Sequence, residues 1–258
     1  MQTEAVIVLA CIAAIACGVP SNLQEMELTE STEDINSRII GGTVAEQGEF
    51  PWHVAIQNTS DGQHWTHKCD GTIISKEFIL TDEICAMESG EFGRVIAGTL
   101  DLTNPGSVHF IAETIRNDSS REIVLMRVDP PFAFNSNTGP ILLPHQSTET
   151  FPGTILTVSA WSEIDETNIL MKLESPVLSK AWCSDLFPNS PFDFENYICA
   201  GDANNGTGSC SNIDLGAPLV LDGELRGLFR SQFRGCDYPG IYVEVSNFRD
   251  WIYEIAGV

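Results

Sequence analysis

Short β-type runs constrain the fold of this chain more than any other feature. From Gln47 onward, apolar, β-branched or aromatic runs alternate with Gly, Pro, Asn and Asp, as in PWHVAIQ, GTIISKEFILT, EIVLMRV and GIYVEV. Such runs favour strands, and the residues between them favour turns. Helical periodicity appears mainly in the closing segment SNFRDWIYEIAGV, which predicts one amphipathic C-terminal helix with Asn247 as a candidate N-cap. The pattern predicts an all-β sandwich or barrel domain.

The N-terminal region differs in composition from the rest. Residues 1–18 contain a twelve-residue apolar run from Ala5 to Ala16 followed by small residues. This run is too short to cross a bilayer and is typical of a secretory signal peptide. Residues 19–38 are polar and acidic and cannot form a core, which predicts a propeptide. Residues 39–258 remain for the folded domain, and the protein is expected to be secreted and extracellular.

The cysteines fit an extracellular protein. Removal of residues 1–18 leaves six of the eight cysteines, an even number, as expected for a disulfide framework. Six cysteines allow fifteen pairings, so sequence alone leaves the connectivity open. Zinc is disfavoured because no Cys-x2-Cys spacing occurs among these six, which are Cys69, Cys85, Cys183, Cys199, Cys210 and Cys236.

The net charge limits the range of partners. The chain carries a formal charge of −23, so nucleic acid is an improbable partner. The acidic surface is explained either by solubility or by attraction to a basic partner. His64 and His67 have a spacing that could hold a metal, but no third ligand is evident nearby, so we predict neither a metal nor a cofactor.

A series of motifs resembles the trypsin/chymotrypsin family of serine proteases. Arg38 is followed by Ile-Ile-Gly-Gly, and HKCDGTIIS, FILTDEIC, TVSAW, ICAG and PGIYVEV follow in family order. The resemblance implies two six-stranded antiparallel β-barrels with the active site between them and a C-terminal α-helix. It also implies zymogen cleavage between Arg38 and Ile39, after which the new amine of Ile39 would pair with Asp214. The alternative is an inherited cleavage site that is never used.

The resemblance also implies disulfide pairing and the positions of the catalytic triad. The pairs would be Cys69 with Cys85, Cys183 with Cys199, and Cys210 with Cys236. At the histidine, aspartate and serine positions, this sequence has Ile84, Glu122 and Leu215. Ile213 stands where the family has the glycine that supplies an oxyanion donor, and this loop has one extra residue. Isoleucine cannot move a proton and leucine cannot attack a carbonyl, so acyl transfer is not expected.

The positions that correspond to the substrate pocket have changed too. Gly208 stands near the pocket floor, and Arg230, Ser231 and Gln232 replace the small residues of the pocket wall. Arg230 is expected either to fill the pocket or to turn out to solvent. A displaced catalytic histidine would have to be His53 or His67, and the sequence offers no evident serine or cysteine for it to activate.

Three sequons, at Asn58, Asn117 and Asn205, are candidate glycosylation sites. Taken together, these features predict a secreted, monomeric, catalytically inactive serine protease homologue. It would act as a binding or regulatory protein whose partner is a protease, an inhibitor or another cascade component. Two alternatives remain: a microbial or surface recognition protein of innate immunity, and a hydrolase with relocated catalytic residues.

Overall fold

The described chain contains thirteen β-strands. The computed structural model describes residues 42–161, 168–201, 215–232 and 238–258. In chain order, the strands are β1 (Thr43–Val44), β2 (His53–Thr59), β3 (Thr66–Ile73), β4 (Phe78–Asp82), β5 (Phe92–Ala97), β6 (Ser107–Arg116), β7 (Ile123–Asp129), β8 (Ile155–Trp161), β9 (Leu170–Pro176), β10 (Tyr197–Ala200), β11 (Pro218–Leu221), β12 (Glu224–Gln232) and β13 (Gly240–Glu244).

The strands form two antiparallel units, which confirms the predicted all-β fold. The first is a closed six-stranded barrel in the order β2-β3-β4-β7-β6-β5. The second is a seven-stranded sheet in the order β1-β9-β8-β11-β12-β13-β10. The short strand β1 joins this second sheet by pairing with β9, although the strands that follow it in sequence, β2 to β7, form the barrel.

The contact between the barrel and the sheet is a continuous apolar core. In β4 and β7, alternate residues face opposite sides of the strand. Ile79 and Val124 pack inside the barrel, whereas Leu80 and Leu125 pack with residues of the second sheet. Because both faces are buried, these strands appear in sequence as nearly uninterrupted apolar runs. Their ends, at Asp82 and Ile123, therefore lie where the two units meet.

Two α-helices are present in the described residues, α1 (Lys180–Leu186) and α2 (Arg249–Ala256). Short 3-10 turns occupy Glu83–Cys85, Phe194–Asn196 and Val245–Phe248. The predicted C-terminal helix is confirmed, but Asn247 is not its N-cap. Instead, the backbone N–H of Asp250 donates to Oε1 of Gln146 at 3.0 Å. Neither helix is long and apolar enough to span a membrane.

Candidate functional site

The three residues that the resemblance assigns to the catalytic triad positions lie at the junction of the two units. Ile84 is in the 3-10 turn after β4, and 53% of its surface is exposed. Glu122 immediately precedes β7, and its carbonyl oxygen accepts from the N–H of Glu83 at 3.1 Å. Leu215 lies in the turn before β11, and its carbonyl oxygen is 3.6 Å from Sγ of Cys85. The fold therefore brings together residues that are far apart in sequence.

Local structure explains how the turn carrying Leu215 fits against the barrel. The carbonyl oxygen of Leu215 accepts from the N–H of Asp70 at 2.8 Å. Gly216 follows with a φ of 79°, and a Cβ there would collide with Thr81 and with the backbone of Asp70. Only glycine adopts this conformation without strain in so little space.

An ion-pair cluster fills the space behind Ile84. Nη1 of Arg230, on β12, lies 2.8 Å from Oδ1 of Asp82 and 3.3 Å from the carbonyl oxygen of Glu122. Nη2 of Arg230 is 3.8 Å from Oε2 of Glu122. The side chain of Asp82 is fully buried, and that of Arg230 is 16% exposed. Arg230 is thus directed towards the barrel rather than out to solvent.

The cluster has unusual electrostatics because two carboxylates share one guanidinium. Burial raises the pKa of Asp82 to about 7, with the charge of Glu122 adding to the effect and Arg230 opposing it. Although burial alone lowers the pKa of Arg230, the two carboxylates raise it above its usual range. Burial and hydrogen bonding to Glu122 also raise the pKa of Tyr197. At neutral pH, therefore, Arg230 is cationic, and the carboxyl group of Asp82 is close to its pKa and only partly ionised.

Asp82 was not predicted as a site residue, although the sequence places a charged residue at the end of an apolar strand there. It ends the apolar strand FILTD, and Arg230 follows the apolar run GLF on β12. Oδ1 of Asp82 also accepts from the N–H of Ile84 at 2.8 Å. Asp82 therefore fixes both the exposed turn and the buried guanidinium.

The other residues that the resemblance assigns to the substrate pocket are only partly described. Ser231 and Gln232 lie on β12 and pair with Ile241 and Gly240 of β13. The side-chain amide of Gln232 donates to the carbonyl oxygen of Tyr238. Several predicted residues lie outside the described part of the chain: Arg38, Ile39, Asn205, Gly208, Cys210, Ile213, Asp214 and Cys236. The activation pair and the third disulfide therefore stay predictions.

Two of the three implied disulfides are present. Cys69 is bonded to Cys85, and Cys183 to Cys199. The first bond links β3 to the turn that carries Ile84. It thereby supports the site from the barrel side.

A buried Ser-His-Asp arrangement lies between the barrel and the second sheet. Nδ1 of His53 is 2.7 Å from Oγ of Ser159, and its Nε2 is 3.5 Å from Oδ2 of Asp70. Nε2 of His67 is 3.4 Å from the other oxygen of Asp70. A serine, Ser159, thus lies beside one of the two histidines considered as a displaced catalytic base. These side chains are buried, however, and the ring of Trp161 packs edge-on to His53 at 4.7 Å.

Burial makes this arrangement structural rather than catalytic. A peptide bond could not reach Ser159, because the residue is only 1% exposed. Instead, the hydrogen bond between His53 on β2 and Ser159 on β8 joins the two units. His64, by contrast, is exposed and bonds to Asp61, so His64 and His67 contact different carboxylates. Within the described residues, no group of three acidic, histidine or cysteine side chains is arranged to hold a metal.

The two described sequons differ in accessibility. Asn58 is half-buried, and its Nδ2 donates to Glu91 at 3.2 Å. Asn117 is buried, and its Oδ1 accepts from the N–H groups of Ser119 and Ser120. Burial disfavours a glycan at Asn117 and makes Asn58 the better candidate of the two.

Comparison with known proteins places this site in a family context. The trypsin family model matches residues 39–252. The chain is 30% identical to the anionic trypsin of Canis lupus familiaris, over 85% of this chain and 90% of that protein. It is 32% identical to trypsin-1 of Astacus astacus, over 83% of this chain and 98% of that protein. The solved structure of HL collagenase aligns with a TM-score of 0.73 at 25% identity, covering 84% of this chain and 98% of that chain. The chain therefore belongs to the trypsin family.

Proposed function

We propose that this protein is a secreted, catalytically inactive serine protease homologue that acts as a binding or regulatory protein. The observation that carries the proposal is the presence of Ile84, Glu122 and Leu215 at the triad positions, beside a guanidinium that occupies the space between the two units. Acyl transfer needs a nucleophile, a base and a carboxylate that orients the base. Leu215 supplies no oxygen nucleophile, Ile84 supplies no base, and Glu122 is paired with Arg230.

The residues at the same site are suited to binding another protein instead of to catalysis. Ile84 presents an exposed apolar side chain, and the half-buried Leu215 lies close to it through the contact with Cys85. Beneath them, Arg230 is held by the Asp82 carboxylate and by the carbonyl oxygen of Glu122. An exposed apolar group on a rigid, disulfide-supported turn is suited to contact with another protein. The partner we propose is a protease, an inhibitor or another component of a protease cascade, bound by a monomer.

Absence of the nucleophile can be tested directly. We expect a fluorophosphonate probe to leave the protein unlabelled, both intact and after cleavage at Arg38, because Leu215 cannot form the phosphonyl ester. Active trypsin serves as the positive control. We expect the variant Leu215→Ser to show no peptide turnover as well, because Ile84 provides no base. Stoichiometric labelling of the cleaved wild-type protein would contradict the proposal.

Regulation by cleavage needs a separate experiment. The protein would be immobilised in two forms, one cleaved after Arg38 and the other kept intact by Arg38→Gln. Because Ile39 and Asp214 retain the identities needed for the activation pair, we expect only the cleaved form to retain its partner from the native secretion. A ligand shifts a two-state loop only if it binds the two forms differently. Equal retention by both forms would make the cleavage site a relic and the protein a constitutive binder.

A further inference from the structure

The outer face of the first barrel carries an aromatic cluster around Arg94. On β5, Phe92 and Arg94 are two residues apart and share a face, and Arg94 pairs across the sheet with Phe110 of β6. The ring of Trp65 lies 6.3 Å from that of Phe110. Phe92 and Phe110 are 63% and 55% exposed. We name Trp65, Phe92, Arg94 and Phe110 the β5–β6 surface. Exposed strand positions are usually polar, so the two phenylalanine rings on these strands are unusual.

Arg94 differs from most basic residues of the described chain in having no ion pair there. Its guanidinium lies over the ring of Trp65 at 4.3 Å, and its Nε donates to Oε1 of Gln57 at 2.8 Å. Partial burial lowers the pKa of Arg94, and no carboxylate of the described residues offsets that effect. Stacking and a neutral acceptor thus fix the guanidinium. Among the described residues, its two terminal nitrogens make no hydrogen bond and are open to an anion.

We propose that the β5–β6 surface binds a short extended segment of another protein in which one carboxylate is flanked by apolar side chains. The carboxylate would accept two hydrogen bonds from the terminal nitrogens of Arg94, the strongest pairing open to a guanidinium. Neighbours two residues away in an extended segment lie on the same side, about 7 Å apart. This spacing matches the distance along the strand from Arg94 to Phe92.

Charge and ring geometry narrow the choice of partner. The chain carries a net charge of −23, so a segment with many carboxylates would be repelled and one with a single carboxylate is favoured. A sugar would stack best on an open indole face, but the Arg94 guanidinium covers one face of Trp65. The rings that remain exposed are those of Phe92 and Phe110, which suit aliphatic or aromatic side chains. These features favour a peptide over a carbohydrate.

The test is a titration of the folded protein with two matched peptides, followed by NMR of the side-chain N–H groups of Trp65 and Arg94. The probe is acetyl-Ile-Thr-Glu-Thr-Ile-amide, and its control has Gln in place of Glu. We expect saturable shifts at both groups with the Glu peptide and about tenfold weaker binding of the Gln peptide, because a charge-assisted hydrogen bond is lost. Equal binding of the two peptides, or no shift with either, would overturn the proposal.

Matched variants separate this surface from the rest of the protein. Arg94→Gln is expected to remove the preference for Glu, and Phe110→Ser to weaken binding of both peptides. Arg121→Gln and Phe151→Ser, which change exposed side chains elsewhere, should bind as the wild type does. If Arg94→Gln fails to fold, Arg94→Lys replaces it in the test. Lysine keeps the charge but not the two parallel N–H donors of the guanidinium, so Arg94→Lys is expected to bind the Glu peptide with intermediate strength. Shifts caused by chitotriose instead of the peptide would assign the surface to sugars and contradict the proposal.

The proposal for the β5–β6 surface and the proposal that the protein is catalytically inactive can be disproved independently. The surface is built from β5, β6 and the residue before β3, whereas the Arg230 cluster lies at the ends of β4 and β12 and at the residue before β7. Fluorophosphonate labelling would overturn the loss of catalysis and leave the surface intact. Absence of peptide binding would overturn the surface and leave the loss of catalysis intact.

Discussion

At about pH 8, where Asp82 is ionised, Arg230→Met should lower the free energy of unfolding by about 3–5 kcal/mol, the usual cost of leaving one member of a buried ion pair without its partner. Methionine keeps much of the apolar stem of arginine but removes the hydrogen bonds to Asp82 and to the carbonyl oxygen of Glu122. The side chain of Asp82 has no exposure to water. Its charge therefore cannot be solvated unless the cleft opens.

The effect of Arg230→Met should depend on pH in a defined direction. In the wild type, the pKa of Asp82 is about 7, above its ordinary value of 3.8, so the folded protein holds a proton that the unfolded chain releases. Asp82 therefore makes the free energy of unfolding fall as the pH rises from its ordinary pKa of 3.8 to its folded-state pKa of about 7. Without Arg230, only the hydrogen bond from the N–H of Ile84 opposes the effect of burial on the pKa of Asp82. The loss should then be larger at about pH 8 than at about pH 5, where Asp82 is protonated.

Urea unfolding at these two pH values, with the disulfides oxidised, measures the effect. Arg127→Met is the matched control, because Arg127 forms an exposed ion pair with Glu113 that should contribute only about 0–1 kcal/mol. The double variant Arg230→Met/Asp82→Asn should be more stable than Arg230→Met at high pH, because the unpaired carboxylate is gone. A loss from Arg230→Met no greater than that from Arg127→Met would show that the cluster is not a structural element.

The sequence predicted those parts of the fold that depend on local pattern or on recognisable motifs. Alternating apolar runs predicted the strands, and two of the implied disulfides, Cys69 with Cys85 and Cys183 with Cys199, are present. The positions of Ile84, Glu122 and Leu215 followed from short motifs, and the fold brings these residues together. Each of these inferences needed only neighbouring residues or a family resemblance.

Tertiary contacts between distant residues were not predictable in the same way. Arg230 and Asp82 are 148 residues apart, and His53 and Ser159 are 106 apart. No local pattern pairs them, because the pairing arises when the barrel meets the second sheet. The helix α2 shows the same effect on a smaller scale. Its N-terminal cap comes from Gln146, 104 residues away from Asp250, and not from the adjacent Asn247.

Asp70→Asn should be the second strongly destabilising change, because Asp70 is the only carboxylate that contacts both buried histidines in the described chain. Asparagine is nearly isosteric but carries no charge and has one acceptor oxygen instead of two. The amide oxygen can face only one of the two imidazoles, so the amide –NH2 would face the other, and both of these groups would lack an acceptor. At about 1–3 kcal/mol for each unsatisfied buried group, we expect a loss of about 2–5 kcal/mol. The contact between β2 and β8 should also weaken, because Asp70 orients the imidazole that bonds to Ser159.

Acid should reduce the difference between Asp70→Asn and the wild type. Although burial alone would raise the pKa of Asp70, the histidines on either side hold it below its ordinary value of 3.8. A carboxyl group whose pKa is lowered on folding stabilises the folded state at any pH above its ordinary pKa. This contribution is lost as the pH falls through the pKa of the folded state. The two proteins should therefore differ most near neutral pH and converge in strong acid.

The matched control for this experiment is Asp61→Asn, which changes an aspartate that bonds to the exposed His64. Because solvent screens this surface pair, the unfolding midpoint should change little. Urea unfolding monitored by the fluorescence of the tryptophans, including Trp161 beside His53, reports both stability and the packing between the two units. If Asp70→Asn changed the midpoint no more than Asp61→Asn does, the histidines would have found other acceptors. The buried Ser-His-Asp arrangement would then not be what holds the barrel to the second sheet.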